Sequence, residues 1–189
     1  MSCILAITYQ RFKLSGFLIA LAISSKLSMI IALPFILIYI NNRNGFKREI
    51  RDFIFSFSLF GFLFIGIYFF SNGYFLMVYQ SREFSRLYSV FILYGKDFKL
   101  YVVPIIYFLS LYLIWRLKRI NQDLFIIGTG LGFFSILIFL PPAPAWSIWL
   151  IPFLVYYQIK SRRDLFSIGF IYNILIVLNI IGINQFLNV

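Results

Sequence analysis

Residues 140–157 read LPPAPAWSIWLIPFLVYY, and the reading of the fold turns on them. Pro141, Pro142 and Pro144 stop any helix, because each lacks an amide hydrogen and its ring clashes with the turn before it. Trp146 and Trp149 follow at once, and Pro152 interrupts the apolar run behind them. Rings with a polar edge favour a membrane–water boundary. The stretch therefore predicts a rigid turn at such a boundary, feeding a short kinked crossing. Three residues apart, Trp146 and Trp149 share one helix face. They would offer a ring platform to a sugar or polyprenyl chain, or anchor a helix end in the aromatic belt.

The composition of the 189 residues points the same way. They are 62% hydrophobic, 22% aromatic and 12% charged, with a mean hydropathy of +0.93. The apolar runs are continuous rather than alternating, which argues for helices and against a β-barrel. The expectation is an all-α polytopic transmembrane helical bundle of about six to seven spans. It would be a single transmembrane domain over residues 1–189, hence a multi-pass protein of the cell membrane.

The formal charge of +11 has a topological explanation, since Lys and Arg gather in short loops between the apolar runs. Nucleic acid is not an expected partner. Cys3 is the sole cysteine and histidine is absent, which removes intrachain disulfides, Cys/His zinc sites and histidine acid–base chemistry. Carboxylates are too sparse to hold a metal, so no cofactor is expected of the chain itself. A divalent metal stays open for a complete enzyme.

Residues 14–40 are nearly all apolar, broken at Ser24-Ser25-Lys26 and at Pro34. A lysine in mid-bilayer costs about 3 kcal/mol. That favours two helices, 10–25 and 27–40, meeting in a tight turn at Lys26, over one tilted span. Further crossings are expected at 53–71, 100–115, 124–140, 147–157 and 165–187. The basic loops 41–52, 116–123 and 158–164 then fall on one side. Residues 72–99 are expected as an amphipathic helix lying in the outer interface. Residues 1–10 lack the cleavage pattern of a signal peptide.

Lys26 is the leading candidate for chemistry. Its ammonium would hold a phosphate as a point charge, or else snorkel from a helix end. Arg82, Glu83 and Arg86 share a face if their segment is helical, forming either a site for an anionic headgroup or a solvated salt-bridge pair. Any general base on the outer side would be Glu83 or Asp97. Gly128-Thr129-Gly130-Leu131-Gly132 follows no strand, so it reads as close helix packing rather than a nucleotide loop. Asn173 and Asn179 are expected to hydrogen-bond between helices.

Two stretches together resemble the C-type membrane glycosyltransferases, which use polyprenyl-phosphate-linked sugars. Ala22–Pro34, AISSKLSMIIALP, is similar to their apolar–Lys–apolar–Leu-Pro segment. Pro141–Leu154, PPAPAWSIWLIPFL, is similar to a later Pro-x-x-Trp-x-x-Trp-x-x-Pro-Phe-Leu segment of bacterial members, including polysaccharide-assembly proteins. The resemblance covers about residues 10–157 and implies transfer of a sugar from a lipid carrier at the outer face. It places Lys26 near the carrier phosphate, and Pro141, Pro144, Trp146, Trp149 and Pro152 in the wall of the site. Family members use an acidic residue in an early outer loop, whereas no acid occurs in the first 48 positions here. Glu83, the candidate that remains, matches no catalytic motif. The resemblance thus implies the C-terminal half of such an enzyme, with a second membrane chain or an upstream half supplying catalysis. The expected partners are a lipid-linked sugar and membrane lipid. The alternative is a non-enzymatic subunit in the assembly or translocation of polysaccharide or lipid-linked sugar.

Overall fold

The structure, a computed structural model, describes residues 2–42, 47–66, 68, 70–79, 87–94, 98–137 and 150–160. It opens with a helical hairpin. Helix α1 (Ser2–Thr8) ends in a left-handed residue, Gln10, at φ 59°. The Gln10 N–H donates to Ile7 C=O at 2.9 Å and the Arg11 N–H to Ala6 C=O at 2.8 Å. That pair of bonds is a Schellman stop, which satisfies the last carbonyls and reverses the chain into α2 (Phe12–Ser25). The hairpin is pinned where Cys3 Sγ lies 3.1 Å from Ser15 Oγ.

Helix α2 stops at Lys26, which is extended at φ −154°, ψ 112°. The hydroxyls of Ser24 and Ser25 both donate to Leu21 C=O, at 2.8 and 2.9 Å. Such back-bonding draws that carbonyl away from the helical ladder. A 3₁₀ turn, Leu27–Ile31, leads into α3 (Ala32–Asn42). Pro34 sits in its first turn, where a missing N–H costs nothing. Helix α4 (Lys47–Gly61) loosens into a π turn, Phe62–Gly66, and α5 follows at Asn72–Tyr79.

An antiparallel ribbon comes next, β1 (Phe91–Tyr94) with β2 (Phe98–Tyr101), in the register Phe91↔Tyr101 to Tyr94↔Phe98. Helices α6 (Val102–Arg116), α7 (Gln122–Leu137) and α8 (Ile151–Lys160) complete the described chain. Asn121 caps α7 by accepting the Leu124 N–H on Oδ1 at 2.8 Å.

The core lies between α1, α2, α3, α4 and α7. Ile7, Ile23, Phe35, Ile36, Ile40, Phe53 and Phe125 are almost wholly enclosed there. Tyr39 stacks on Phe125 with centroids 4.3 Å apart, and Phe35 meets Tyr107 edge-on at 5.9 Å. Helix α4 runs along α2 in the same direction. Ser56 Oγ donates to Lys13 C=O at 2.6 Å, and Phe17 packs on Phe60 and Phe64 further along. Helices α3 and α6 are likewise aligned, since Tyr107 OH reaches Ile31 C=O at one end and Asn42 Nδ2 reaches Leu117 C=O at the other.

The expected polytopic transmembrane bundle does not form. Among the described residues, no helix is long and apolar enough to cross a membrane. Helix α7 has 16 residues, α4 and α6 have 15 and α2 has 14. At about 1.5 Å per residue even α7 reaches only about 24 Å, against about 30 Å of hydrocarbon. Several expected crossings, 100–115 among them, are about as short as the helices that form; the run 14–40 divides at the expected serine–lysine break, and α4 passes into a π turn at Phe62–Gly66. The multi-pass integral membrane localisation falls with the spans. The connection 72–99 is also not one amphipathic interfacial helix. Its described parts are α5 and a ribbon, because Phe, Ile, Leu and Tyr at 91–94 and 98–101 favour pleated pairing. Residues 140–149 and the expected crossing 165–187, with Asn173 and Asn179, lie outside the described residues.

Candidate functional site

The helical directions sort the polar groups to two ends. At one end are Lys26, the 3₁₀ turn, the start of α6 and the finish of α7. There Val103 and Ile136 are buried together, with Ile31, Leu87 and Tyr107 packed around them. At the other end are the α1–α2 turn, Asn42 with Leu117, and the start of α7 against the finish of α8.

Lys26 is half-buried at the only extended residue between α2 and the 3₁₀ turn. Its N–H donates to Ala22 C=O and its C=O accepts the Met29 N–H, both at 3.0 Å. The backbone is thus fixed on both sides of the charge. A cation at the C-cap of α2 also suits the negative end of the helix dipole. Two residues on, Ser28 Oγ is buried and meets no hydrogen-bond partner among the described residues. A buried hydroxyl of that kind costs stability unless something polar satisfies it.

Of the other residues singled out from the sequence, Arg82, Glu83, Arg86, Asp97, Trp146 and Trp149 lie outside the described residues, as do Pro141 and Pro144. Described residues that border those segments, Leu87 and Ile136, pack with Ile31 beside the Lys26 turn. Pro152 lies in the first turn of α8.

The glycine cluster behaves as packing. All of residues 128–132 are in α7, and each glycine admits a different neighbour. Gly128 faces Ile114 of α6, Gly130 faces Phe153 of α8, and Gly132 lies against the Phe35 ring of α3. A methyl group at Gly132 would overlap the Phe35 ring, one at Gly128 would displace the end of Ile114, and one at Gly130 would press on Phe153. Thr129 between them is fully buried and donates to Phe125 C=O at 2.8 Å.

Sequence reading missed a polar constellation at the far end. Asp123, in the first turn of α7, accepts a hydrogen bond from Tyr156 OH and pairs with Lys160 Nζ at 3.3 Å. The Tyr156 bond, assisted by Lys160, holds the Asp123 carboxyl below its usual range. Burial, with Asp123 second, pushes the Tyr156 phenol up to about 12. Tyr156 and Lys160 are four apart on one helix, the spacing that puts two side chains on one face. That spacing was the available signal. The group joins two helix ends and leaves its carboxylate engaged.

Apolar side chains remain outward over much of the surface. Ile92, Leu93 and Tyr94 of the ribbon are more than half exposed, as are Phe108, Leu113 and Trp115 of α6. Among the described residues no His/Cys/Asp/Glu group is arranged to hold a metal. Comparison with protein-family models, curated proteins and solved structures finds no match for this chain.

Proposed function

We propose that this chain binds a polyprenyl-phosphate-linked sugar at its Lys26 end and takes part in transferring that sugar. The observation carrying the reading is the break at residues 24–28. A fixed backbone there carries a lysine two residues before a buried serine hydroxyl that meets no hydrogen-bond partner among the described residues. Lys26 neutralises the carrier phosphate as a point charge and positions it, and it moves no proton. Ser28 Oγ supplies a hydrogen bond to the same anion. The reading gives Arg82 and Arg86 a share of the anion, and Trp146 and Trp149 the sugar or the prenyl chain. The outward apolar side chains of the ribbon and α6 suit a lipid-linked ligand.

Inverting transfer of this kind uses a carboxylate. Asp123 is committed to Tyr156 and Lys160 at the opposite end, so the reading takes its carboxylate from Glu83, Asp97 or a second chain. That engagement also favours a second reading, a non-enzymatic subunit that holds the lipid-linked sugar for a partner.

Binding of a radiolabelled polyprenyl-phosphate hexose tests the proposal. Lys26→Ala weakens binding by about ten- to a hundredfold, the range of a charge-assisted hydrogen bond, while Lys26→Arg retains part of it. The free polyprenol, lacking phosphate, binds equally to both proteins. Unchanged phosphate-dependent binding in Lys26→Ala refutes the proposal. Loss of transfer in Glu83→Gln with binding intact selects the enzyme over the subunit.

A further inference from the structure

The α1–α2 hairpin carries a second feature, at the opposite end of α2 from Lys26 and about 21 Å from it along the helix. A trough of 570 Å³ runs between the two helices, lined by Ser2, Leu5, Ala6 and Tyr9 from α1 and its turn, and by Arg11, Leu14 and Leu18 from α2 and its start. The spacing explains it. Residues 2, 5, 6 and 9 share one face of α1, and 11, 14 and 18 share one face of α2. The Schellman stop at Gln10 lays the two helices side by side, so that these residues line one groove.

Tyr9 and Arg11 stand at the turn, the leucines and Ala6 extend from there along the helices, and Ser2 lies at the far end. Arg11 is the one charged side chain among the described residues of the lining, which include no acidic one. Among the described residues its guanidinium makes no ion pair. One cation at the mouth of a largely apolar trough complements one monoanion on an apolar tail. A guanidinium takes a carboxylate through two parallel hydrogen bonds, and the leucine walls, themselves half-exposed, gain burial from a hydrocarbon chain.

We propose that this trough binds a single-chain fatty carboxylate, its head on Arg11 and Tyr9 and its chain along Leu5, Leu14 and Leu18. The site is independent of Lys26 and of the sugar-carrier reading, so either can fail without the other.

The test uses the full chain held in an amphipathic polymer rather than detergent, with octanoate, decanoate and dodecanoate as probes followed by equilibrium dialysis. Affinity rises by about fourfold per added methylene until the chain outgrows the trough. Arg11→Gln weakens dodecanoate at least tenfold, while Lys26→Ala leaves it unchanged. Because Arg11 is exposed, its replacement leaves the fold intact, which circular dichroism verifies. Leu14→Gln, also at an exposed position, flattens the chain-length dependence. Equal binding by Arg11→Gln overturns the proposal. So does equal affinity for dodecyltrimethylammonium, or a tenfold preference for dodecyl phosphate over dodecanoate.

Discussion

The contact between α2 and α4 makes a sharp prediction at Gly16. A methyl group placed on Gly16 would stand 2.5 Å from Phe53 O, 2.9 Å from Phe57 N and 3.0 Å from Ser56 Cβ. Two of these are backbone atoms of α4 and cannot rotate away. Replacement by alanine therefore forces the helices apart and stretches the Ser56–Lys13 hydrogen bond, 2.6 Å in the native chain. Overpacking costs about 1–3 kcal/mol, and losing a hydrogen bond costs about 1 kcal/mol more. Against this, alanine gains about 1 kcal/mol of helix propensity over glycine. The net is a destabilisation of about 1–3 kcal/mol, or about 3–9 °C in Tm for a chain of this size. Gly61 supplies the control, because nothing lies within 4 Å of a methyl group there. Gly61→Ala should hold or raise Tm. Thermal unfolding of both variants in one solvent, followed by circular dichroism, decides the matter. A Gly16→Ala protein as stable as the native chain would refute the close approach of the two helices.

Other expectations follow from the ionisable groups. Burial pushes the Cys3 thiol up to about 11, so maleimide at pH 8 should label native Cys3 far more slowly than the unfolded chain. Tyr107, by burial, and Tyr156, by burial and Asp123, are both pushed up to about 12. A raised folded pKa adds stability that is complete below the unfolded value of about 10 and is lost as pH climbs through the folded one. Denaturant titrations should therefore show stability falling between about pH 10 and 12, with Tyr156→Phe removing part of the slope. Asp123 is lowered, so its contribution is present above the unfolded value of about 4 and is lost as pH falls through the folded one. Carbon-detected titration of the carboxyl should show the apparent pKa rising in Tyr156→Phe.

What the sequence made legible was local. The break at Lys26 could be read, because two serines and a charge in an apolar run compete with a helix there. The glycines of residues 128–132 could be read as packing, because no strand precedes them. The extents of α2, α6 and α7 follow the expected segments closely; what fails is the expectation that segments this short cross a membrane. Hydropathy registers apolar residues but not where the backbone changes pitch, so the π turn at Phe62–Gly66 and the 3₁₀ turn at Leu27–Ile31 left no compositional trace. The ribbon at 91–101 was hidden for a related reason: its aromatic residues suit an interfacial helix as well as a strand, and pairing decides between them. The trough depends on one residue, Gln10, taking a left-handed conformation that glycine or asparagine would have advertised. Asp123, Tyr156 and Lys160 were read as loop charges and a helix residue because their meeting requires two helices to dock.

The central claim is that Lys26 meets the phosphate of a lipid-linked sugar, and amine protection tests it most directly. The chain is reductively methylated with and without a polyprenyl-phosphate hexose, and the extent at each lysine is read by peptide mass. The account predicts that the carrier slows methylation of Lys26 several-fold, that polyprenol does not, and that Lys160, paired with Asp123 at the far end, reacts equally in all three samples. Methylation of Lys26 at the same rate with and without the carrier, or equal protection by polyprenol, would contradict it.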